Sequence, residues 1–456
     1  MLYRKEIPEK KHAGLVVCGG GFAGFASAYA AARQGVKTLL IERSGCLGGT
    51  GTQGLVNHIL GERVYQPDNT YKTCIRGLFS ELERRLLAAD GGIDIDGIDL
   101  SLPPHGWYGG LGVGLIFDNE KMKLLLEQML REAGAKILYY TDIIDVIREE
   151  NRLTGIIVHN KSGLSLIRGD RFIDATGDGD VAAFAGCGFE LGEESGGMAP
   201  ASLEMHVENV DSEQLIAYMR ETKDLRFRNL IGPLREQGLW HFPYEIFISV
   251  MLTQKDVFMI NTIRQVGVDG TDASSLTAGT LDGRRENYEL LSVMRKHFPG
   301  FQNATVRQIA PVIGIRETRR IACEYTLSVQ DLIDGVTFPD SIAVSGYGWD
   351  LPHPKKPSLQ PLHGVVRKSE FTELPYRCLV PKGIDNLLVA GRCIGVERDV
   401  SGVMRVMGPC IAMGEAAGIA AALSIQSGCS CRDVDPEALR TEIRSHGGIT
   451  DIEQIL

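Results

Sequence analysis

GLVVCGGGFAGFASAYAAARQGVKTLLIER, residues 14–43, decides how the chain begins. Gly14 to Cys18 is a short apolar run ending in glycines, which suits a buried parallel strand. Phe22 to Gln34 is alanine-rich and helix-compatible, with Gly35 where a residue just past a helix belongs. Val36 to Ile41 is a second apolar strand, so the stretch predicts a βαβ unit of about 30 residues. Between strand and helix lies Gly19-Gly20-Gly21-Phe22-Ala23-Gly24, a G-x-G-x-x-G. Gly19 makes the turn, Gly21 lets the backbone approach a pyrophosphate, and Gly24 lets the helix pack closely on the strand. The helix N-terminus offers free N–H groups and a positive dipole end to that anion. Glu42 closes the second strand 18 residues past Gly24, about where the acid that holds a ribose hydroxyl belongs. The unit predicts dinucleotide binding and leaves NAD and FAD undivided.

At 456 residues the chain is long enough for two or three domains. Hydrophobic residues at 44% and charged residues at 23% exclude bulk disorder. The 54 glycines imply many tight turns, or backbone pressed against something flat or phosphorylated. A net charge of −10 argues against nonspecific nucleic-acid binding. The polar leader has no apolar h-region, and the glycine- and alanine-rich stretch near the carboxyl end is interrupted by Glu415. The expectation is a cytoplasmic protein without membrane insertion. None of the ten cysteines is spaced C-x-x-C, so zinc ribbons, ferredoxin-type clusters and dithiol pairs lack their signature, and no metal site is expected.

Further along, Asn119 to Ala133 has helical periodicity and Lys136 to Tyr140 reads as a strand. Ile143 to Ile147 and Leu153 to His159 look antiparallel, and Arg171 to Ala175 is a strand leading into Thr176-Gly177-Asp178. From about Ala199 to Glu373 the β/α alternation is lost. Phe247 to Leu252, Val257 to Ile263, Val312 to Ile315 and Ser341 to Ser345 are strand-like there, and Asn287 to Arg295 is helical. Asn386 to Ala390 is again a strand, and Pro409 to Ile425 a glycine- and alanine-rich helix. The chain therefore predicts an α/β fold whose first domain is discontinuous, 1–198 and 374–456, with 199–373 inserted.

The set GGGFAGFASAYAAARQGVKTLLIER, CLGGTGTQGLV, RFIDATGDGDVA, GIRETRRIACEYTLS, LPYRCLVP and NLLVAGRCIGVERDVSGVMRVMGPCIAMGEAAGIAAAL resembles the FAD-dependent oxidoreductases. The kinship is to the fumarate reductase, thiazole-synthase and glucose-inhibited-division flavoproteins. The resemblance implies a Rossmann-like FAD-binding domain and an inserted mixed β/α substrate domain. It implies that Gly19, Gly21 and Gly24, with Phe22 and Ala23, meet the FAD pyrophosphate, and that Glu42 meets the adenosine ribose. Arg43 would lie beside the adenine, Gly48, Gly49 and Thr50 near the ribityl end, and Ile143 or Ile144 would give backbone contacts to adenine. Ala175, Thr176 and Gly177 match a strand-end turn, and Gly391, Arg392 and Arg405 through Gly408 the flavin-end segment. The helix that starts near Pro409 would aim its positive end at the flavin pyrimidine.

Gly177 to Ala182 also fits a degenerate G-x-G-x-x-A, but two carboxylates in the turn would repel a pyrophosphate. The glycines of 109–114 miss the spacing, so no NAD(P)H domain is expected. Catalytic candidates lie in the insert. Arg316, Arg319 and Arg320 could clamp a carboxylate or phosphate, with Arg316 and Arg320 favoured, or could instead bridge to Glu317 and Glu324. His353, in an aromatic turn with Tyr347, is a candidate acid or base at the flavin, or an exposed loop histidine. His58 and His105 are weaker candidates, and Cys46 is either redox-active or a packed thiol. The resulting expectation is hydride transfer between FAD and a small polar, possibly anionic, organic molecule, with the electron acceptor or donor open. The alternatives are a flavin-bearing electron-transfer subunit with an iron–sulfur partner and, disfavoured by charge, a tRNA-modifying enzyme.

Overall fold

The computed structural model describes residues 6–66, 68, 70–95 and 114–455. His105 and the glycines of 109–113 lie outside them. The expected βαβ unit is present as strand Glu9–Cys18, helix Phe22–Arg33 and strand Thr38–Ile41. It nucleates a seven-stranded sheet. The order runs Lys136–Leu138, Thr38–Ile41, Glu9–Cys18, Gly163–Asp174, Arg152–Asn160, Thr141–Glu149. The first four are parallel and the last two antiparallel.

Gly163–Asp174 is long enough to serve two roles. Its first half joins the antiparallel meander, and its second half takes Leu387–Val389 as a parallel neighbour, Leu388 opposite Ile173. Pairing with the first half also draws Glu9 and His12 of the polar leader into the first strand, opposite Leu166 and Arg168. Polarity alone hides that extension.

Helix Met407–Ser427 packs on helix Phe22–Arg33 with backbones nearly touching. A Cβ on Gly414 would stand 2.3 Å from the Ala23 carbonyl oxygen, and one on Gly418 2.3 Å from that of Ser27. The glycine and alanine content of both helices answers to this contact. Helix Met407–Ser427 is long and apolar enough to cross a membrane, yet 83% of its most apolar window is buried inside the protein. Its Glu415 is buried and accepts the Leu78 N–H at 3.2 Å.

The chain between 205 and 309 builds a second sheet, all antiparallel, in the order Ser249–Met251, Phe258–Ile260, Met205–Glu208, Thr305–Ile309. Its own core gathers Phe227, Trp240, Phe242, Phe247, Phe298 and Phe301. Helix Ala273–His297 runs far beyond the periodic part at 287–295, because Asp272 caps it by accepting the Ser275 N–H at 2.7 Å. The expected insert 199–373 is divided between two cores, since Ile321, Leu327, Ile342, Val344 and Phe371 pack with the first sheet. The apolar run Val312 to Ile315 forms no strand.

Candidate active site

One cavity of about 1440 Å³ opens at the carboxyl ends of the parallel strands and is roofed by the second sheet's domain. Gly19, Glu42, Ala175 and Ala390, each the residue after a parallel strand, line it. The three motif glycines act in three different ways. Gly19 has φ +99°, and a Cβ there would lie 2.4 Å from the Ala175 carbonyl oxygen. A Cβ on Gly24 would lie 1.9 Å from the Gly19 carbonyl oxygen. At Gly21 a Cβ would meet nothing within 4 Å, and this residue faces the cavity at the N-cap of helix Phe22–Arg33. The space beside Gly21 is what a pyrophosphate on a helix N-terminus requires.

Glu42 is buried at the cavity wall, its Oε2 accepting the Gly20 N–H at 2.7 Å and its Oε1 the Ser44 N–H at 2.8 Å. Each oxygen keeps a second lone pair for a ribose hydroxyl. Phe22, Ala23, Arg43, Gly48, Gly49, Thr50, Thr176, Gly177, Gly391, Arg392 and Arg405 line the same cavity. The turn Thr176–Gly177 is fixed by the Asp174 carboxylate, which accepts from the Thr176 N–H and hydroxyl and from the Ala182 N–H. Burial pushes the Asp174 carboxyl up to about 6. Gly24 and Gly408 stand behind the wall as packing glycines, the latter against the Leu60 carbonyl. Ile143 and Ile144 are not cavity residues. The ladder skips a residue between Ile143 and Asp145, and Ile144 points outward, 43% exposed.

Opposite the cradle lies a polar group that the sequence reading half found. Arg316 lines the cavity, and its Nη1 donates to the Pro200 carbonyl at 2.7 Å and to Ser202 Oγ at 2.8 Å. Arg264 Nη1 donates to the same Ser202 Oγ at 2.9 Å and to Asn261 Oδ1 at 2.6 Å. Arg264 also stacks over the Tyr244 ring at 4.3 Å, and its Nε has no partner among the described residues. Burial, then Arg264 and Arg405, pull Arg316 down to about 9. Glu204 and Asp350 offset part of that pull, so the cations share the wall with two carboxylates. Glu204, Tyr347 and Asp350 complete this side; Asp350 accepts from the Tyr347 hydroxyl at 3.1 Å and from Arg405 at 3.3 Å. Burial and the neighbouring Asp350 raise the Tyr347 phenol well above its ordinary value. Arg264 and Glu204 were missed, although each is a charge set inside an apolar run, FMINTIRQVGV and ASLEMHV.

Two expected catalytic residues stand elsewhere. Arg320 is buried outside the cavity, ion-paired to Glu317 at 3.1 Å and Glu190 at 2.9 Å. It is fixed by strand pairing of Arg319–Ile321 with Phe189–Leu191, which places it opposite Glu190. His353 is not a cavity residue either; its Nδ1 accepts the Lys355 N–H at 3.1 Å within its own turn. His58 does line the cavity, buried and lowered to about 4 by desolvation, hence neutral. Cys46 lies outside the wall, 4.0 Å from Thr52 Oγ1, its thiol raised by burial.

Cradle and cavity together define a dinucleotide-binding α/β protein with room for a second molecule. The family model of the FAD dependent oxidoreductases matches residues 14–443, and the chain belongs to that family. Its cofactor is FAD. No curated protein matches the chain by sequence. Among solved structures it is similar to a geranylgeranyl bacteriochlorophyll reductase-like protein of Thermoplasma acidophilum, at 15% identity and TM-score 0.43, covering 95% of this chain and 83% of that one. It is also similar to p-nitrophenol 4-monooxygenase of Pseudomonas putida, at 12% identity and TM-score 0.49, covering 96% and 89%. A flavin-dependent brominase matches at 12% identity and TM-score 0.48, covering 94% and 83%.

Proposed function

We propose that this FAD-dependent oxidoreductase transfers a hydride between the flavin and a small anionic organic molecule held on Arg316 and Arg264. The observation that carries the reading is the pair of guanidiniums fastened side by side by Ser202 and Asn261 at the wall of the FAD cavity. Two like charges held together favour an anion between them, and the guanidinium fork matches a carboxylate. When bound, FAD supplies two-electron chemistry through its isoalloxazine ring. The chain's part is to hold it. Gly21 and the start of helix Phe22–Arg33 would take the pyrophosphate, Glu42 a ribose, and Gly391, Arg392 and the Val406–Met407 helix start the ring end. Asp350 and Arg405 would keep the Tyr347 hydroxyl oriented beside that end.

The test is anaerobic bleaching of the flavin by a panel of small organic acids and their neutral amides. Acids should reduce the protein and amides should not. Arg316→Ala should lose roughly tenfold or more in kcat/KM, the value of one charge-assisted hydrogen bond of about 1.5–3 kcal/mol. Equal reduction by the amides would overturn the reading.

A further inference from the structure

Glu204 is a buried acid to which the FAD cradle gives no task. It directly precedes strand Met205–Glu208, and its backbone carbonyl holds the Ala310 N–H at 2.9 Å. The residue lines the cavity although it is only 2% exposed. Oε2 has no hydrogen-bond partner among the described residues. A buried carboxyl oxygen without a donor is unfavourable, and in a cavity wall it marks a place where a ligand completes the bonding. The charged groups facing it are Arg264 and Arg316. Arg405 and Asp350 act on Arg316 from farther along the wall. His206, two residues on, is neutral and turns to the Leu55 carbonyl and Gln308.

We propose that Glu204 is a catalytic residue, taking a proton from a hydroxyl of the substrate whose carboxylate lies on Arg264 and Arg316. This rests on the reading of the cavity as a site for small anions, and it narrows the substrate to a small hydroxy-carboxylate. In the step the substrate O–H bond breaks and its electron pair stays on the substrate oxygen. An O–H bond forms at the Glu204 carboxylate, so the negative charge moves from the glutamate to the substrate oxygen, and no electron leaves the substrate. The two guanidiniums stabilise the charge where it arrives. In the opposite direction the protonated glutamate returns the proton. Burial raises the Glu204 carboxyl to about 7 while Arg264 and Arg316 restrain it. A base that titrates near the working pH is both available and strong enough.

The test uses FAD-loaded wild type, Glu204→Gln and Glu204→Asp. Infrared difference spectra taken from about pH 5 to 9 should show a carboxyl titrating near neutrality that the Gln variant lacks and the Asp variant restores. Glu62 and Glu415 give the same background in all three proteins. Acetate, an unreactive probe of the arginine pair, should draw protons onto the wild type from weakly buffered solution and none onto Glu204→Gln. Glycolate, lactate and malate are then offered anaerobically. With any that bleaches the wild-type flavin, Glu204→Gln should be about 10²–10⁴-fold slower, with FAD content retained and acetate bound at least as tightly. The wild-type rate should rise with pH through about 7 and that dependence should vanish in the variant. An infrared titration unchanged by Glu204→Gln, or reduction within about threefold of wild type, overturns the assignment. If no hydroxy acid reduces the wild type, the substrate reading fails, and Glu204 is judged by the infrared and proton-uptake results alone.

Discussion

Replacing Gly21 with Val should remove FAD while leaving the fold standing. The backbone there is extended, φ −63° and ψ 178°, which any residue adopts, and an added Cβ has no atom within 4 Å. The folded chain without cofactor therefore loses only the difference between glycine and valine as N-caps, about 1 kcal/mol or less. In a chain of this size that moves Tm by no more than about 4 °C. The cofactor fares differently, because the new side chain fills the space through which the pyrophosphate reaches the helix N-terminus. Two charge-assisted hydrogen bonds lost at about 1.5–3 kcal/mol each weaken binding by roughly 10²–10⁴-fold. FAD released by denaturation and quantified per chain reads the occupancy, and circular dichroism melts of the apoproteins read the fold. Gly24→Ala is the contrast, since its Cβ would stand 1.9 Å from the Gly19 carbonyl oxygen and must push helix from strand. Full occupancy in Gly21→Val would refute the cradle, and an unfolded apoprotein would make Gly21 a folding glycine instead.

Acetate should raise the Tm of the FAD-loaded protein, by about 2.7 kcal/mol of stabilisation at a hundredfold its Kd, and Arg316→Ala should abolish the rise; an equal rise in the variant places the anion elsewhere. Arg320→Ala should lower Tm by several degrees with FAD retained, because Glu317 and Glu190 lose a buried partner while Arg398 still holds Glu317. An unshifted melt would deny it that tie. Glu415 titrates at about 7 in the folded protein against an ordinary 4.5, raised chiefly by burial. A raised carboxyl adds stability that is complete below the unfolded value and lost as pH rises through the folded one. Glu415→Gln should therefore match wild type in urea melts near pH 4.5 and exceed it by up to about 3 kcal/mol above pH 7; parallel pH curves would show that the acid is solvated.

The parts of this molecule that could be read from the sequence are those fixed by neighbours along the chain. The glycine turn, the helix after it and Glu42 lie within 30 residues, and each follows from a local steric or electrostatic need. The closing helix was legible for a different reason, its composition, since the glycines and alanines that let it pack against the distant helix Phe22–Arg33 are themselves visible in the sequence. The proposed anion site is different. Ser202, Asn261, Arg264 and Arg316 meet only because the antiparallel sheet and the segment after it bring distant stretches together. No period or spacing announces such a meeting. Ile144 shows a smaller version of this limit, since one skipped residue in the ladder turns an apolar side chain to solvent. Val312 to Ile315 is apolar because it walls the cavity, which alternation cannot distinguish from a strand.

The segment Arg316–Arg320 explains how one guanidinium is aimed at the cavity while its neighbours are not. Glu317 accepts from the Ala199 N–H, Arg320 and Arg398. Thr318 Oγ1 donates to Asp178 Oδ1 at 2.8 Å, and Arg319 Nη1 donates to the Asp178 carbonyl at 3.0 Å and to Asp180 at 2.8 Å. Arg392 reaches the same Asp178 carboxylate at 2.5 Å from the cofactor side. Thr318 and Arg319 are thus fastened to the strand-end turn of the nucleotide fold, and Glu317 and Arg320 to each other and to Ala199, Arg398 and Glu190. The two aspartates that would have repelled a pyrophosphate are neutralised by Arg392 and Arg319, so they anchor the cradle without opposing its ligand. Arg316, at the edge of this fastened run, is left to be oriented by Pro200, Ser202 and Asn261. Arg316 is tied to Ser202 by a hydrogen bond and, through two residues of backbone, to Thr318, whose hydroxyl shares the Asp178 carboxylate with Arg392. This linkage ties the proposed anion site to the nucleotide cradle, and fixed relative placement is what a reaction between two closely held molecules demands.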